Sequence, residues 1–261
     1  MTSKPIDTSR PHPARMYDYY LGGKDSYPVD EEAAERVISF LPAIRIAART
    51  NRSFMNRAAR LLAERGVTQF LDIGTGIPTE PNLHQVVQAV NPRARVVYVD
   101  NDPIVLRHAE ALLRSTPEGA TKYIEADVRE PEKITESAKE ILDFEEPVAL
   151  SLVALLHFVS DEYQPYELVD NLLAPLCSGS FLMLSHVTGD FDPAGWAKAV
   201  DIYRKSGVPA QVRSRDEVAR FFTGLDLIDP GVQVVTDWHP EPDQEFADEQ
   251  VPLYVGVARK P

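Results

Sequence analysis

The chain has 261 residues, 44% of them hydrophobic, and a formal net charge of −13. This length allows one large α/β domain or one domain with an added subdomain, and the acidic charge without a lysine–arginine block argues against a nucleic-acid-binding protein. The single cysteine, Cys177, excludes an internal disulfide, no apolar run could span a bilayer, and no histidine or cysteine spacing suggests a metal site. With no signal-peptide core at the N-terminus, we expect a cytoplasmic protein.

The N-terminal region has two parts of different composition. The first dozen residues are polar and contain several prolines, so we predict that they are disordered. Residues 14–30, A-R-M-Y-D-Y-Y-L-G-G-K-D-S-Y-P-V-D, contain four tyrosines and the neighbouring Gly22 and Gly23. Two interpretations of this segment stay open. It is either a packing arm over a sheet edge or a lid over a cationic ligand, because tyrosine faces attract cations.

Helical patterns occupy the next part of the chain, before the first strand. A helical stretch over 30–50 is interrupted at Pro42, and a second helix is predicted over 51–65. We therefore divide the chain into an N-terminal arm and helical lid, residues 1–65, and a main domain, residues 66–261. The two parts are expected to pack as one compact unit.

The stretch 69–79 reads Q-F-L-D-I-G-T-G-I-P-T and predicts a strand, a glycine turn and then a helix. The turn resembles a dinucleotide-binding motif, but Thr79 stands where the third glycine would be, and Asp72 precedes the first glycine, Gly74. A carboxylate there would repel a pyrophosphate and suit a cation such as the ammonium of an amino acid. S-adenosylmethionine carries adenosine, an amino acid and no phosphate. The alternative is a turn that binds no ligand.

The second predicted strand also ends in an acid. The apolar run 94–99 leads to Asp100, which lies 24 residues after Gly76. Nucleotide-binding α/β folds place an acid at about this point, where it accepts hydrogen bonds from the ribose hydroxyls. The alternative use of such an acid is helix capping, which better suits Asp102 because that residue precedes a proline.

The third predicted strand, 122–126, leads to Asp127 and Val128. An acid beside a small apolar residue could accept from the adenine amino group while the apolar side chain packs on the ring. Ligands of open α/β sheets bind outside the carboxyl ends of the strands. Three successive strands that end in an acid therefore indicate one adenosyl-binding site.

The second half of the chain continues the alternation of strands and helices. Strands are predicted over 148–155, 180–184, 225–235 and 252–258, and helices over 104–114, 162–173, 192–205 and 214–222. The last two strands are expected to form an antiparallel edge hairpin, with the loop 236–250 between them. Trp196 is expected to point inward from its helix.

Two histidines follow the fourth and fifth strands. His157 has the better position for a general base, which methyl transfer needs only when the accepting oxygen or nitrogen carries a proton. The alternative for His157 is a structural residue that caps a turn. His186, Tyr19 and Trp238 are further candidates for contact with a substrate.

The chain resembles a family of S-adenosylmethionine-dependent methyltransferases that begin with R-M-Y-D-Y-Y-L-G-G-K-D. Four family motifs are present, at residues 15–25, 51–58, 71–79 and 97–103. The resemblance covers the chain and implies a Rossmann-like seven-stranded α/β fold, mostly parallel with an antiparallel edge hairpin. This family is abundant in producers of secondary metabolites, and membership does not identify a substrate. Arg15 and Arg52 lie in family motifs, so one of them is expected to hold the methionine carboxylate.

The candidate functional residues fall into two sets, one for the cofactor and one for the substrate. The predicted cofactor-binding residues are Asp72, Gly74, Thr75, Gly76, Asp100, Asn101, Asp127, Val128, Val153, Arg15, Tyr20 and Arg52. The predicted substrate-binding residues are Tyr19, His157, His186 and Trp238. The expected reaction is transfer of a methyl group from S-adenosylmethionine to oxygen or nitrogen of a small molecule. Two alternatives stay open: a protein that senses the cofactor without catalysis, and an NAD-dependent oxidoreductase.

Overall fold

A computed structural model describes residues 7–112, 114–242 and 250–261. The strands in these ranges are β1 (Gln69–Ile73), β2 (Arg95–Asp100), β3 (Ala120–Glu125), β4 (Val148–Val153), β5 (Phe181–Val187), β6 (Asp226–Leu227), β7 (Gln233–Val234) and β8 (Leu253–Arg259). The helices are α1 (Pro13–Leu21), α2 (Pro28–Phe40), α3 (Ile44–Glu64), α4 (Leu83–Val90), α5 (Pro103–Leu112), α6 (Pro131–Ala138), α7 (Pro165–Leu173), α8 (Pro193–Lys205) and α9 (Arg215–Ala219). Short 3₁₀ turns occur at Leu156–Phe158, Asp161–Tyr163 and Arg220–Phe222.

The strands form one sheet in the order β3-β2-β1-β4-β5-β8-β6, and β7 also pairs with β8. The first five strands pair in parallel, and β8 runs antiparallel to β5. The predicted Rossmann-like α/β fold is thus confirmed. The strand order reverses between β1 and β4, and a ligand crevice is expected at such a reversal, outside the carboxyl ends of the strands.

Both faces of the sheet are covered, so its central strands are apolar on both sides. Phe70 of β1 packs in the same hydrophobic cluster as Met16 of α1 and Phe54 of α3. Its neighbour Leu71 points to the other face, in the cluster that contains Leu172 of α7. The N-terminal helices therefore share a hydrophobic core with the sheet. No helix in the described ranges has the length and apolar character needed to cross a membrane.

The helices before the sheet break at a different place from the one predicted. The sequence suggested helices over 30–50 and 51–65, whereas α3 is continuous from Ile44 to Glu64 and the break covers residues 41–43. Pro42 ends the first helix because it has no N–H to donate. Thr50, at the predicted boundary, stays helical and its hydroxyl donates to the carbonyl of Ile46.

The last part of the sheet is less regular than predicted. In place of one strand over 225–235, the two-residue strands β6 and β7 each pair with β8, and a turn separates them. Pro230 and Gly231 lie in this turn, and Gly231 has φ of 81°. Both residue types favour a turn over a continuous strand. Residues 243–249 of the predicted loop lie outside the described residues.

Candidate cofactor and active site

A cavity of about 490 Å³ opens at the carboxyl ends of β1 to β4. Residues at and just after the ends of these four strands form its floor. The other walls are formed by Asp7, residues 10–15, Tyr17, three residues of α3 and the loop 206–209. The three strand-end acids Asp72, Asp100 and Asp127 all line it. The structure therefore brings these acids to one site, where the strand order reverses.

The turn after β1 depends on its two glycines. Gly74 and Gly76 have φ of 75° and 66°, values that other residues adopt only with strain. A Cβ at Gly74 would also lie 2.6 Å from Cδ1 of Leu155. Apart from Gly76 itself and its two chain neighbours, no atom of the described residues lies within 4 Å of the place where a Cβ of Gly76 would be. A ligand in the cavity can therefore approach the backbone of this turn closely.

Asp72 is a buried carboxylate at the base of the turn. It accepts a hydrogen bond from the Thr75 hydroxyl at 2.9 Å. Burial raises its pKa, since the charged form is disfavoured away from water. A cation in the cavity would relieve this cost, so Asp72 suits the ammonium of an amino acid better than it suits a phosphate.

Asp100 supports the same turn from the neighbouring strand. Its Oδ2 accepts from the N–H of Gly76 at 2.8 Å, and its Oδ1 accepts from the N–H of Asp102 at 3.0 Å. Burial raises the pKa of this carboxyl also. Each oxygen keeps a second lone pair, which could accept from a ribose hydroxyl. Asp102 caps α5 by accepting from the N–H of Ile104 at 3.0 Å, as its position before a proline suggested.

Asp127 follows β3, which lies two strands away from the strand of Asp72, β1, in the sheet. Its carboxylate accepts from Arg129 Nε at 2.8 Å and from Asn101 Nδ2 at 3.3 Å. Burial opposes the charge of Asp127, but the hydrogen bonds from Arg129 outweigh it and the pKa is lowered. Val128 is buried and lines the cavity beside it. The apolar side chain and the acid thus stand next to each other, as an adenine ring would require.

Residues 7–12, which the sequence predicted to be disordered, have defined positions, and Asp7 and residues 10–12 lie on the cavity wall. Arg15 Nη2 donates to the carbonyl of Asp7 at 3.0 Å, and its guanidinium lies 3.4 Å from Asp30 and 3.6 Å from Asp102. The N–H of His12 donates to Asp30 at 2.8 Å. Composition does not reveal these ties because their partners lie far along the chain. Residues 1–6 of the prediction lie outside the described residues.

Arg52, on α3, is a second arginine that lines the cavity. It donates to the carbonyls of Thr79 and Pro81, just beyond the turn. Its charge also acts to lower the pKa of Asp72, against the effect of burial. Within the described ranges, no carboxylate lies within 4 Å of its guanidinium. Arg15, by contrast, already has two carboxylate neighbours.

Eleven of the twelve predicted cofactor residues line this cavity. They are Asp72, Gly74, Thr75, Gly76, Asp100, Asn101, Asp127, Val128, Val153, Arg15 and Arg52. The exception is Tyr20, whose hydroxyl lies 3.3 Å from that of Tyr203 in a smaller neighbouring cavity. Tyr20 points there because it follows Tyr17 by three residues on the inner face of α1.

The smaller cavity has a volume of about 40 Å³. It shares wall residues with the large one: Pro13, Tyr17, Asn51, Ala154 and Phe158. Hydrogen bonds join three of these residues through Ser185. Asn51 Nδ2 donates to the Tyr17 hydroxyl at 2.8 Å, the Ser185 hydroxyl donates to Asn51 at 2.6 Å, and the Ala154 N–H donates to Ser185 at 2.8 Å. Ala154 has φ of 55°, a left-handed value that this network helps to hold.

His157 lies in the wall of the small cavity, not of the large one. Its ring is buried against Phe158, with a centroid distance of 4.3 Å. Burial lowers its pKa to about 3, and the charge of Arg213 acts in the same direction. The imidazole is therefore neutral at physiological pH. A general base with an ordinary histidine pKa would give a rate that rises through that pKa, and this environment does not support such a rise.

The other three predicted substrate residues lie away from both cavities. His186 is fully buried, and its Nε2 accepts from Arg213 at 2.8 Å. Trp238 is fully buried with its ring 5.1 Å from that of Phe54. Tyr19 faces outward from α1 and donates to Glu35 at 2.6 Å. None of the three side chains therefore lines either cavity, because each is held by packing or by a polar partner elsewhere, and their contact with a substrate stays a prediction.

Several wall residues were missed by the sequence reasoning. Tyr17 and Asn51 line both cavities, and Trp196 lines the small one. Helical spacing could have identified Tyr17, since Pro13, Tyr17 and Tyr20 lie at positions i, i+4 and i+7 and so on one face of α1. The loop 206–209 gives no such signal, because only the packing of α8 brings it to the cavity.

The family model described as S-adenosyl methyltransferase matches residues 1–261. The chain therefore belongs to the S-adenosyl methyltransferase family. It is an S-adenosylmethionine-dependent methyltransferase, and this assignment favours the enzyme over the NAD-dependent and sensor alternatives. No match was found among the curated proteins.

Two crystal structures share more than a third of their residues with the chain over nearly its whole length. A DUF574 family protein from Streptomyces avermitilis MA-4680 is 47% identical with a TM-score of 0.95, covering 98% of this chain and 100% of that one. A candidate methyltransferase from Thermobifida fusca YX is 37% identical with a TM-score of 0.88, covering 97% of this chain and 96% of that one. An S-adenosylmethionine-dependent methyltransferase from Anabaena variabilis ATCC 29413 is 15% identical with a TM-score of 0.53, covering 100% and 99%. This last similarity supports the fold alone.

Proposed function

We propose that the protein transfers the methyl group of S-adenosylmethionine to oxygen or nitrogen of a small molecule in the cytoplasm, within secondary metabolism. The observation that carries this proposal is the meeting of three strand-end acids and a glycine turn on one cavity of about 490 Å³. A volume of this size is typical of small-molecule and cofactor sites. The net charge of −13 disfavours a nucleic acid as the acceptor.

The amino-acid end of the cofactor is assigned to Asp72 and Arg52. Asp72 is a buried carboxylate that would gain from a nearby ammonium, and no carboxylate of the described residues lies within 4 Å of the Arg52 guanidinium. Arg15 is assigned a different task, because its guanidinium is already placed between Asp30 and Asp102. It ties residues 7–12 over the cavity.

The nucleoside end is assigned to the other two acids. Asp100 would accept from the ribose hydroxyls with the lone pairs that the turn leaves available. Asp127 and Val128 would take the adenine amino group and ring, with Asn101 and Val153 completing the walls. Thr75 and the glycines would contribute backbone contacts.

The described part of the N-terminal arm and helical lid, residues 7–65 of 1–65, is proposed to act as the cover of the site and to pack as one unit on the described part of the main domain, residues 66–261. The N-terminal motif at residues 15–25 lies within this cover. Tyr17 lines both cavities and would offer its ring to the sulfonium, in place of Tyr19 and Tyr20. Met16 and Tyr20 are buried in the core, so the cover is anchored through α1.

Catalysis is assigned mainly to alignment. When bound, the cofactor supplies an electrophilic methyl group on a sulfonium, whose leaving thioether needs little help. The chain must then hold the acceptor in line and exclude water. His157 is neutral, so it is assigned hydrogen bonding to the acceptor and not electrostatic attraction.

Calorimetric titration tests the cofactor assignment. We expect S-adenosylhomocysteine to bind and NAD not to bind, because Asp72 disfavours a pyrophosphate. A screen with a labelled methyl donor then compares small-molecule extracts with RNA and protein fractions as acceptors. Incorporation of label into RNA or protein alone would contradict the proposed acceptor class.

A further inference from the structure

The small cavity differs from the large one in the charge of its walls. The large cavity carries acids and arginines. Of the described residues that line the small cavity, none is an acid, a lysine or an arginine. Much of its wall is aromatic: Tyr17, Tyr20, Phe158, Trp196 and Tyr203. Its titratable imidazole, His157, is neutral because burial lowers the pKa to about 3.

We propose that this small cavity receives the reacting end of the methyl acceptor, and that this end is an uncharged hydroxyl and not an ammonium. The inference rests on the proposed function, since it assigns the acceptor's place beside the cofactor cavity. The shared wall at Tyr17, Asn51 and Ala154 puts the two sites in contact. An ammonium buried among uncharged walls would lose its hydration without gaining a carboxylate partner.

Unpaired ring nitrogens support a polar but neutral occupant. Nδ1 of His157 and Nε1 of Trp196 are buried and have no hydrogen-bond partner among the described residues. The hydroxyls of Tyr20 and Tyr203 lie 3.3 Å apart, close to the wall formed by these rings. An indole N–H only donates, and a neutral imidazole has one nitrogen that accepts, so a ligand hydroxyl could pair with both kinds of group.

The chemistry of the step also favours oxygen. After a hydroxyl accepts one hydrogen bond, its oxygen keeps a lone pair for the methyl carbon, whereas a neutral amine has one lone pair only. Methyl transfer to the hydroxyl forms a C–O bond and breaks the C–S bond of S-adenosylmethionine. The electron pair of that C–S bond stays on sulfur, and the hydroxyl proton leaves to solvent.

The volume of about 40 Å³ limits what enters. It accommodates a hydroxyl and the carbon atoms next to it, not a whole metabolite, since a water needs at least about 10–15 Å³ on a comparable measure. The remainder of the acceptor must therefore lie toward the shared wall. This geometry selects the reacting group more strictly than it selects the rest of the molecule.

The test uses benzyl alcohol and benzylamine, which share one frame and differ in the charge of the reacting group at pH 7. Each is titrated by calorimetry into protein saturated with S-adenosylhomocysteine. We expect benzyl alcohol to bind at least about ten-fold more tightly than benzylamine. Ala47→Leu, which fills the small cavity from α3, should abolish benzyl alcohol binding while S-adenosylhomocysteine still binds. Equal or tighter binding of benzylamine, or benzyl alcohol binding that survives Ala47→Leu, would overturn the inference.

Fluorescence gives a second measurement in case Ala47→Leu does not fold. Benzyl alcohol should change the tryptophan emission of the wild type, and Trp196→Phe should remove that change. A change that persists in Trp196→Phe would place the probe elsewhere and overturn the inference. If S-adenosylhomocysteine itself fails to bind, the proposed function fails and this inference fails with it. Binding of S-adenosylhomocysteine without binding of benzyl alcohol overturns the inference alone.

Discussion

Asp100→Asn is the substitution that most directly tests the cofactor site. Both carboxylate oxygens already accept from the backbone, Oδ2 from Gly76 and Oδ1 from Asp102. An asparagine has one oxygen and one NH₂ group, so in either orientation one backbone N–H faces a donor. The variant therefore loses at least one charge-assisted hydrogen bond and disturbs the turn that carries Gly76.

The expected loss of affinity follows from the strength of such bonds. A hydrogen bond to a charged group contributes about 1.5–3 kcal/mol, which corresponds to roughly 10- to 100-fold in the Kd for S-adenosylhomocysteine. The loss of folding stability should be smaller than this. Burial raises the pKa of Asp100, which means that its charge destabilises the fold, and the neutral amide removes that penalty.

The assay combines calorimetric titration of S-adenosylhomocysteine with thermal unfolding of the ligand-free protein. Asp226→Asn is the matched control, because Asp226 is exposed on β6 and outside both cavities. We expect the control to bind like the wild type. Affinity within two-fold of wild type in a folded Asp100→Asn variant would refute the assignment of the ribose to this residue.

Three further outcomes are expected. His157 is neutral when folded and has an ordinary pKa of 6.5 when unfolded, so the fold should lose several kcal/mol of stability as pH falls from about 6.5 toward 3. Urea unfolding of the wild type and His157→Gln across this pH range measures the loss. Equal pH dependence of stability in the two proteins would contradict the prediction. Trp238→Ala should destabilise the fold by about 3–5 kcal/mol through the cavity left beside Phe54, with S-adenosylhomocysteine affinity unchanged in the folded fraction; a selective loss of affinity would speak for contact with a ligand. Arg15→Ala should release residues 7–12, so amide exchange there should be fast without S-adenosylhomocysteine and slower with it, and exchange as slow as in the wild type would count against the tie.

The fold and the cofactor cavity could be predicted because their signals are local. Asp72, Asp100 and Asp127 each follow an apolar run, and parallel strands carry their carboxyl ends to the same edge. Glycine spacing identified the turn for the same reason, since the backbone conformation of Gly74 and Gly76 is a property of the residue itself.

The residues of the small cavity, which we propose as the acceptor site, could not be predicted because they come together only through tertiary packing. The chain has two tryptophans, Trp196 and Trp238, and the sequence around them does not tell which one packs against Phe54 and which one lines a cavity. Both are buried, but Trp238 packs against Phe54 whereas Trp196 lines the small cavity. His157 follows a strand as a catalytic histidine would, but its burial and the charge of Arg213 depend on residues more than fifty positions away.

The hydrogen-bonded chain from Tyr17 through Asn51 and Ser185 to Ala154 has a thermodynamic consequence. These four residues join α1 and α3 to the carboxyl ends of β4 and β5. Tyr17, Asn51 and Ala154 also form part of the wall common to both cavities. A ligand in one cavity that fixes these four side chains also fixes part of the wall of the other cavity. Such coupling is reciprocal, so the factor by which one ligand tightens the binding of the second must equal the factor in the opposite direction.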